Sequence, residues 1–128
     1  MNQTPRVHYI PRLKKDVPFA SLSELIALVF QRRTRYRVLG NSMRPTLHSG
    51  DMVIVNPYTS FAEGDVVVAT HPFEKDKILI KRIAVRRSDG YVLLGDQKDS
   101  SSDSRTLGLF KECQLLGKVT SRFNLNHL

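Results

Sequence analysis

A serine on a bent segment and a lysine on an apolar strand are the residues of this sequence whose settings suit covalent chemistry. Ser42 stands in Gly40-Asn41-Ser42-Met43-Arg44-Pro45-Thr46-Leu47, where a glycine and a proline fall within six positions. Such a segment turns sharply. A serine on the turn can present its hydroxyl while nearby backbone N–H groups converge, as an oxyanion hole requires; the same residues also read as a plain loop. A serine hydroxyl attacks a carbonyl only when a base takes its proton. The four histidines, His8, His48, His71 and His127, stand in settings that read as surface or loop and suggest no Ser/His/Asp arrangement. They lack paired metal-ligand spacing, and Cys113 has no second cysteine near it, so neither a metal nor a cofactor is expected.

Lysine serves as a base when burial or a neighbouring cation brings its pKa well below the ordinary value of about 10.4. In Ile78-Leu79-Ile80-Lys81-Arg82-Ile83, strand alternation puts Lys81 on one face with Leu79 and Ile83, and Arg82 on the other with Ile80. An ammonium between two large apolar side chains loses water, which favours the neutral amine. The alternative is a lysine that snorkels to solvent from a strand edge.

The elements that would hold these residues are mostly strands. Apolar, largely β-branched runs at 36–39, 52–55, 65–69, 77–84, 91–94 and 115–122 are separated by turn signals at Ser49-Gly50-Asp51, Glu63-Gly64-Asp65, Ser88-Asp89-Gly90 and Gly95-Asp96. The expected fold is mainly β: a single compact antiparallel domain over residues 19–128, with a β body at about 35–123. One amphipathic helix, at about 21–32, leads it. Ser21 and Glu24 have capping-box spacing, and Leu22, Leu25, Ile26, Val29 and Phe30 recur at helical period. That stripe is expected to pack on the body; gripping a membrane surface or holding a partner are the other readings. Residues 1–18, with Pro5, Pro11 and Pro18 among charges, read as a basic, proline-rich arm outside the core.

The chain has 128 residues, 41% of them apolar and 25% charged, which suits one folded domain. A single cysteine excludes an internal disulfide framework. No apolar run approaches the roughly 20 residues of a membrane span, and the N-terminus lacks the pattern of a signal peptide, so a cytoplasmic location without a transmembrane anchor is expected. The net charge of +8 is spread along the chain without a zinc-finger or helix-turn-helix pattern. No nucleic-acid partner is expected, and peripheral contact with an anionic membrane stays open.

With these residues in view, the sequence resembles the signal peptidase I-like serine proteases of the S26/S24 type, which share a catalytic domain with the LexA-like self-cleaving proteins. The likeness runs in order through Gly40 to Leu47, Gly50-Asp51-Met52-Val53-Ile54-Val55, Lys81-Arg82-Ile83 and Gly95 to Arg105. It implies a serine endopeptidase in which Ser42 attacks the peptide carbonyl and Lys81 takes the proton. It further implies that Ser101 orients the lysine, that the Ser42 N–H donates to the oxyanion, and that Gly40, Met43, Pro45 and the Asp103–Arg105 ion pair shape the site. Some relatives add a hydroxyl two residues before the nucleophile, where this chain has Gly40. The chain resembles most the nickel-type superoxide dismutase maturation proteases, which implies a minimal, soluble enzyme that removes an N-terminal propeptide from a protein precursor. A self-cleaving regulator would need an upstream Ala-Gly or similar site, and no such pair precedes Ser42. A basic nucleic-acid or membrane-binding module with an inactive protease fold is the reading from another class.

Overall fold

The computed structural model describes residues 13–99 and 102–124. One helix, α1 (Leu22–Val29), precedes six strands: β1 (Thr34–Arg37), β2 (Met52–Asn56), β3 (Val66–Thr70), β4 (Ile78–Arg87), β5 (Gly90–Leu94) and β6 (Leu115–Phe123). A single helical turn, α2 (Ser104–Leu107), lies between β5 and β6. The strands form one antiparallel sheet in the order β1-β2-β6-β3-β4-β5. The domain is therefore mainly β, as the strand runs and turn signals imply.

Alternation explains why some runs look amphipathic and β3 does not. Val66 and Val68 point into a core with Val53 and Val55 of β2 and Val119 of β6, joined by Met43 and Leu47 from the Ser42 segment. Val67 and Ala69 point the other way, into a second core with Leu79 and Ile83 of β4, Tyr91 and Leu93 of β5, and Phe110. Both faces of β3 are covered, so every position from Val66 to Ala69 is apolar. Where β2 crosses β6 the register shifts, and Gly117 permits the approach: a Cβ there would stand 2.5 Å from the Val55 side chain and 2.8 Å from the Asn56 carbonyl oxygen.

Residues 13–18, read from the sequence as the end of a loose arm, are fastened to the body. Val17 is buried in the first core, the Lys15 ammonium lies 2.9 Å from the buried carboxylate of Asp65, and the Lys15 carbonyl accepts from Arg82. The arm joins the domain because a buried aspartate and a buried arginine both need its groups. Residues 1–12 lie outside the described residues.

The helix differs from expectation in length and, more consequentially, in orientation. It stops at Val29, because Gln31 takes a left-handed backbone conformation with φ 61°. Ser21 caps it by accepting from the Glu24 N–H. The Glu24 carboxylate does not return to the cap; it accepts from Ser121 of β6 at 3.3 Å and from Arg33 at 3.1 Å. The side turned toward the sheet carries half-buried Glu24, Ala27 and Leu28, spaced i, i+3, i+4. At 100° per residue, the apolar stripe then points almost directly away from the protein. None of its residues is buried: Leu22, Val29 and Phe30 are 74%, 77% and 71% exposed. The expectation that the stripe packs in the core is corrected. The polar tie from Glu24 to Ser121, and a backbone clip of Ala20 N–H to the Arg122 carbonyl and Arg122 N–H to the Pro18 carbonyl, fix the helix the other way round.

Candidate active site

A cleft of about 1100 Å³ opens beside the Ser42 segment. Residues 36–43, running from β1 into that segment, form one wall, and residues 74–81, which lead into and along β4, form another. Gln97, Asp99 and Ser102 complete it. Two strand edges border this space. β1 is the end strand of the sheet, and the first half of β4, Ile78 to Lys81, pairs with β3 alone among the described residues, since β5 ends, at Leu94, opposite Arg82. Unpaired edges offer backbone N–H and C=O groups to an extended chain.

Ser42 is half-buried and lines the cleft. Its backbone is set by several constraints. Gly40 has φ +82°, a left-handed conformation that glycine adopts without a Cβ penalty. The Arg44 N–H donates to the Asn41 carbonyl and the Leu47 N–H to the Met43 carbonyl, closing a tight turn, with a cis peptide between Arg44 and Pro45. Met43 and Leu47 anchor the turn in the core, and the Gln97 N–H donates to the Ser42 carbonyl at 2.8 Å. Among the described residues, neither the Ser42 N–H nor the Met43 N–H has a hydrogen-bond acceptor. Gly40 and Met43 line the cleft; Pro45 is exposed outside it.

Lys81 lies on the other wall and is 3% exposed. It pairs with Val67, between Leu79 and Ile83 on the face of the second core, so the alternation read from the sequence holds. Burial brings its pKa down from the usual lysine value to about 8; the Asp103 carboxylate pulls it back up, and Arg105 and Lys77 push it lower. With that value about a tenth of the amine is neutral at pH 7, far more than for an ordinary lysine.

Asp103 and Arg105 form an ion pair at 2.6 Å, with Asp103 fully buried. The Asp103 carboxylate also caps α2 by accepting from the Arg105 N–H, and it accepts from the Gly95 N–H, which ties the end of β5 to α2. Burial raises the Asp103 pKa, but its bonds to Arg105 and to the Gly95 N–H outweigh that and hold it below the usual carboxylate range. Neither residue lines the cleft; both act on Lys81 through their charges. Ser101, the residue implied to orient the lysine, lies outside the described residues.

A second buried pair was not assigned a role from the sequence. Arg82, 1% exposed, makes a two-pronged contact with the Asp96 carboxylate, both bonds at 2.9 Å, and donates to the carbonyls of Lys15 and Gly64. Thr46, four residues after Ser42, donates its hydroxyl to Asp96, and the Thr46 carbonyl accepts from Arg122. This network joins the Ser42 turn to β4 at the residue next to Lys81. A signal for it is present in the sequence: Arg82 alternates onto the face of Ile80, so a buried guanidinium needs a carboxylate, and Asp96 follows the neighbouring strand.

Residues 28–120 match the protein family described as Peptidase S24-like. Among individual relatives, the signal peptidases IB of Staphylococcus aureus strains Mu50 / ATCC 700699, N315 and MW2 are each 30% identical over 97 residues, which is 68% of this chain and 51% of the relative. The chain spans about half the length of the curated relatives it matches.

Proposed function

We propose a function for this chain from one premise: it belongs to the Peptidase S24-like family, and its relatedness is to serine peptidases of the S24/S26 type. The reading is a Ser/Lys endopeptidase with Ser42 as nucleophile and Lys81 as general base. The observation that carries it is the cleft that has both residues on its walls, with burial bringing the lysine to a pKa of about 8.

In this reading a substrate segment lies extended between the free edges of β1 and β4, its backbone hydrogen-bonded to them. The Ser42 Oγ attacks the scissile carbonyl carbon while the Lys81 Nζ takes the hydroxyl proton. Negative charge collects on the carbonyl oxygen, to which the Ser42 N–H donates in this reading; the Met43 N–H, also without an acceptor among the described residues, is the candidate for a second bond. Collapse of the tetrahedral intermediate releases the amine, which receives its proton from Lys81. Water activated by the same lysine then frees the acyl group from Ser42. Ser101 takes the orienting role that the resemblance gives it.

The substrate is an N-terminal propeptide of a protein precursor, and the resemblance of the Gly40–Leu47 and Gly95–Arg105 segments favours nickel superoxide dismutase. Incubating the purified protein with that precursor and reading the new N-terminus by mass spectrometry tests both levels. A defined new terminus supports the reading. A general peptide library cut by the protein, with the precursor intact, removes the named substrate; no cleavage of either removes the peptidase.

A further inference from the structure

We infer that the outward face of α1 and the arginines beside it form a docking surface for an anionic lipid bilayer. The face consists of Leu22, Leu25, Ile26, Val29 and Phe30, with Phe19 just before the helix, all exposed. A helix that packs through Glu24, Ala27 and Leu28 while presenting its broader apolar stripe to solvent keeps large side chains in water at a cost, unless something covers them.

Charge indicates what covers them. Glu24 is the one carboxylate on α1, and it is already engaged by Arg33 and Ser121. Arg32, Arg35 and Arg37 are exposed and hold no ion pair among the described residues. Strand register puts arginines and helix on one side of the sheet: Arg35 stands opposite Ile54 and Ile54 opposite Ser121, and Ser121 is the residue to which Glu24 binds. Directly opposed residues of an antiparallel pair share a face. Arg37, two positions on, shares it too.

A short helix with large apolar groups outward and uncompensated guanidinium groups alongside is suited to the boundary of a bilayer, the apolar groups among acyl chains and the cations among anionic headgroups. No helix among the described residues is long and apolar enough to cross a membrane, and α1 has eight residues, so the contact is with a surface. The chain's net charge of +8 acts in the same direction at longer range. Because β1 carries Arg35 and Arg37 and leads directly into the cleft wall at Val38-Leu39-Gly40, a docked bilayer would lie next to the strand that borders the cleft.

The test is co-sedimentation of the full chain with vesicles of equimolar phosphatidylcholine and phosphatidylglycerol, with phosphatidylcholine vesicles in parallel, and sedimentation equilibrium without lipid. Binding to the anionic vesicles that weakens with salt, and little to the neutral ones, is expected. Val29→Ser/Phe30→Ser should lower partitioning roughly tenfold or more with the thermal midpoint unchanged, because both side chains are already in water. Arg32→Gln/Arg35→Gln should lower it by a similar factor on anionic vesicles only. Failure of the full chain to bind anionic vesicles overturns the inference, as does binding that survives Val29→Ser/Phe30→Ser. Concentration-dependent dimerisation without lipid, abolished by that variant, would assign the face to a second copy of the chain. The inference does not rest on the peptidase reading: a Ser42→Ala protein should bind vesicles as well as the unaltered one.

Discussion

Lys81 and Arg82 are neighbours on β4, both cations and both buried, yet the two faces of the strand treat their charges in opposite ways. On the face of the first core, Arg82 is held by the Asp96 carboxylate and by two backbone carbonyls, so its charge is compensated where it lies. On the face of the second core, Lys81 sits between Leu79 and Ile83, and burial disfavours its charged form more than the Asp103 carboxylate restores it. On the proposed reading, the contrast separates a structural charge from a chemical one. A cation meant only to hold a fold gains from full pairing, whereas a base must give up its proton near the working pH.

The comparison breaks most sharply at the chemistry. If Ser42 and Lys81 are nucleophile and base as proposed, Ser42→Ala and Lys81→Ala should each reduce peptide cleavage about 10,000-fold or more, since the two would act in one step and losing either would cost nearly as much as losing both. Circular dichroism and thermal melting check that the fold persists, and near-equal turnover by either variant removes the dyad. Next in size is the opposite face. Arg82→Met leaves the Asp96 carboxylate, itself 1% exposed, buried without its partner, and should destabilise the fold by about 3–5 kcal/mol in urea denaturation. Arg82→Met/Asp96→Leu should recover much of that, because no charge then remains buried at that pair. A single variant within about 1 kcal/mol of the unaltered protein would show that solvent reaches Asp96.

How far the sequence discloses this arrangement depends on whether the deciding contacts are local. Strand positions were legible, because β-branched runs between turn residues are a short-range signal, and all six runs reappear as strands with ends shifted by a few residues. The face of Lys81 was legible for the same reason: period-two alternation from Leu79 to Ile83 needs no knowledge of the rest of the chain. The orientation of α1 was not. Its stripe at helical period states that one side is apolar, but the side that meets the sheet is decided by Glu24 reaching Ser121, 97 positions away. The Arg82–Asp96–Thr46 network was legible only in part: alternation marks Arg82 as a buried cation in need of a carboxylate, but Thr46 joins it through a contact 50 positions away that no local pattern announces.

A smaller effect tests whether burial is what distinguishes Lys81. Its folded pKa of about 8 lies below the unfolded value near 10.5, so between those values the unfolded chain binds more protons and stability rises with pH. Below pH 8 both states are protonated and the cost of burying the ammonium is fully present. Lys81→Met removes that cost, and should stabilise the protein at pH 7 by on the order of 2 kcal/mol, an advantage that shrinks as the pH approaches 10. Urea denaturation at the two pH values measures the difference. An advantage independent of pH would point to better packing by methionine, with the lysine charge playing no part.

The finest test lies in the charges around the amine. Cleavage should rise with pH through a midpoint near 8, because a general base at Lys81, as proposed, works as the neutral amine. Arg105 lies on the side that lowers this midpoint and Asp103 on the side that raises it. Arg105→Gln removes a repelling cation and at the same time leaves the Asp103 charge less neutralised, so both consequences favour the ammonium. The midpoint must then move upward, with a loss of rate at pH 7 of less than about tenfold and little change at pH 10. Arg105 is a third exposed, so this substitution disturbs the fold less than any change at fully buried Asp103. If Arg105 served only to position Asp103 and α2, its replacement would lower the rate by the same factor at every pH. A displaced midpoint and a uniform drop are therefore distinct signatures, and only the first makes the ion pair part of what sets the base.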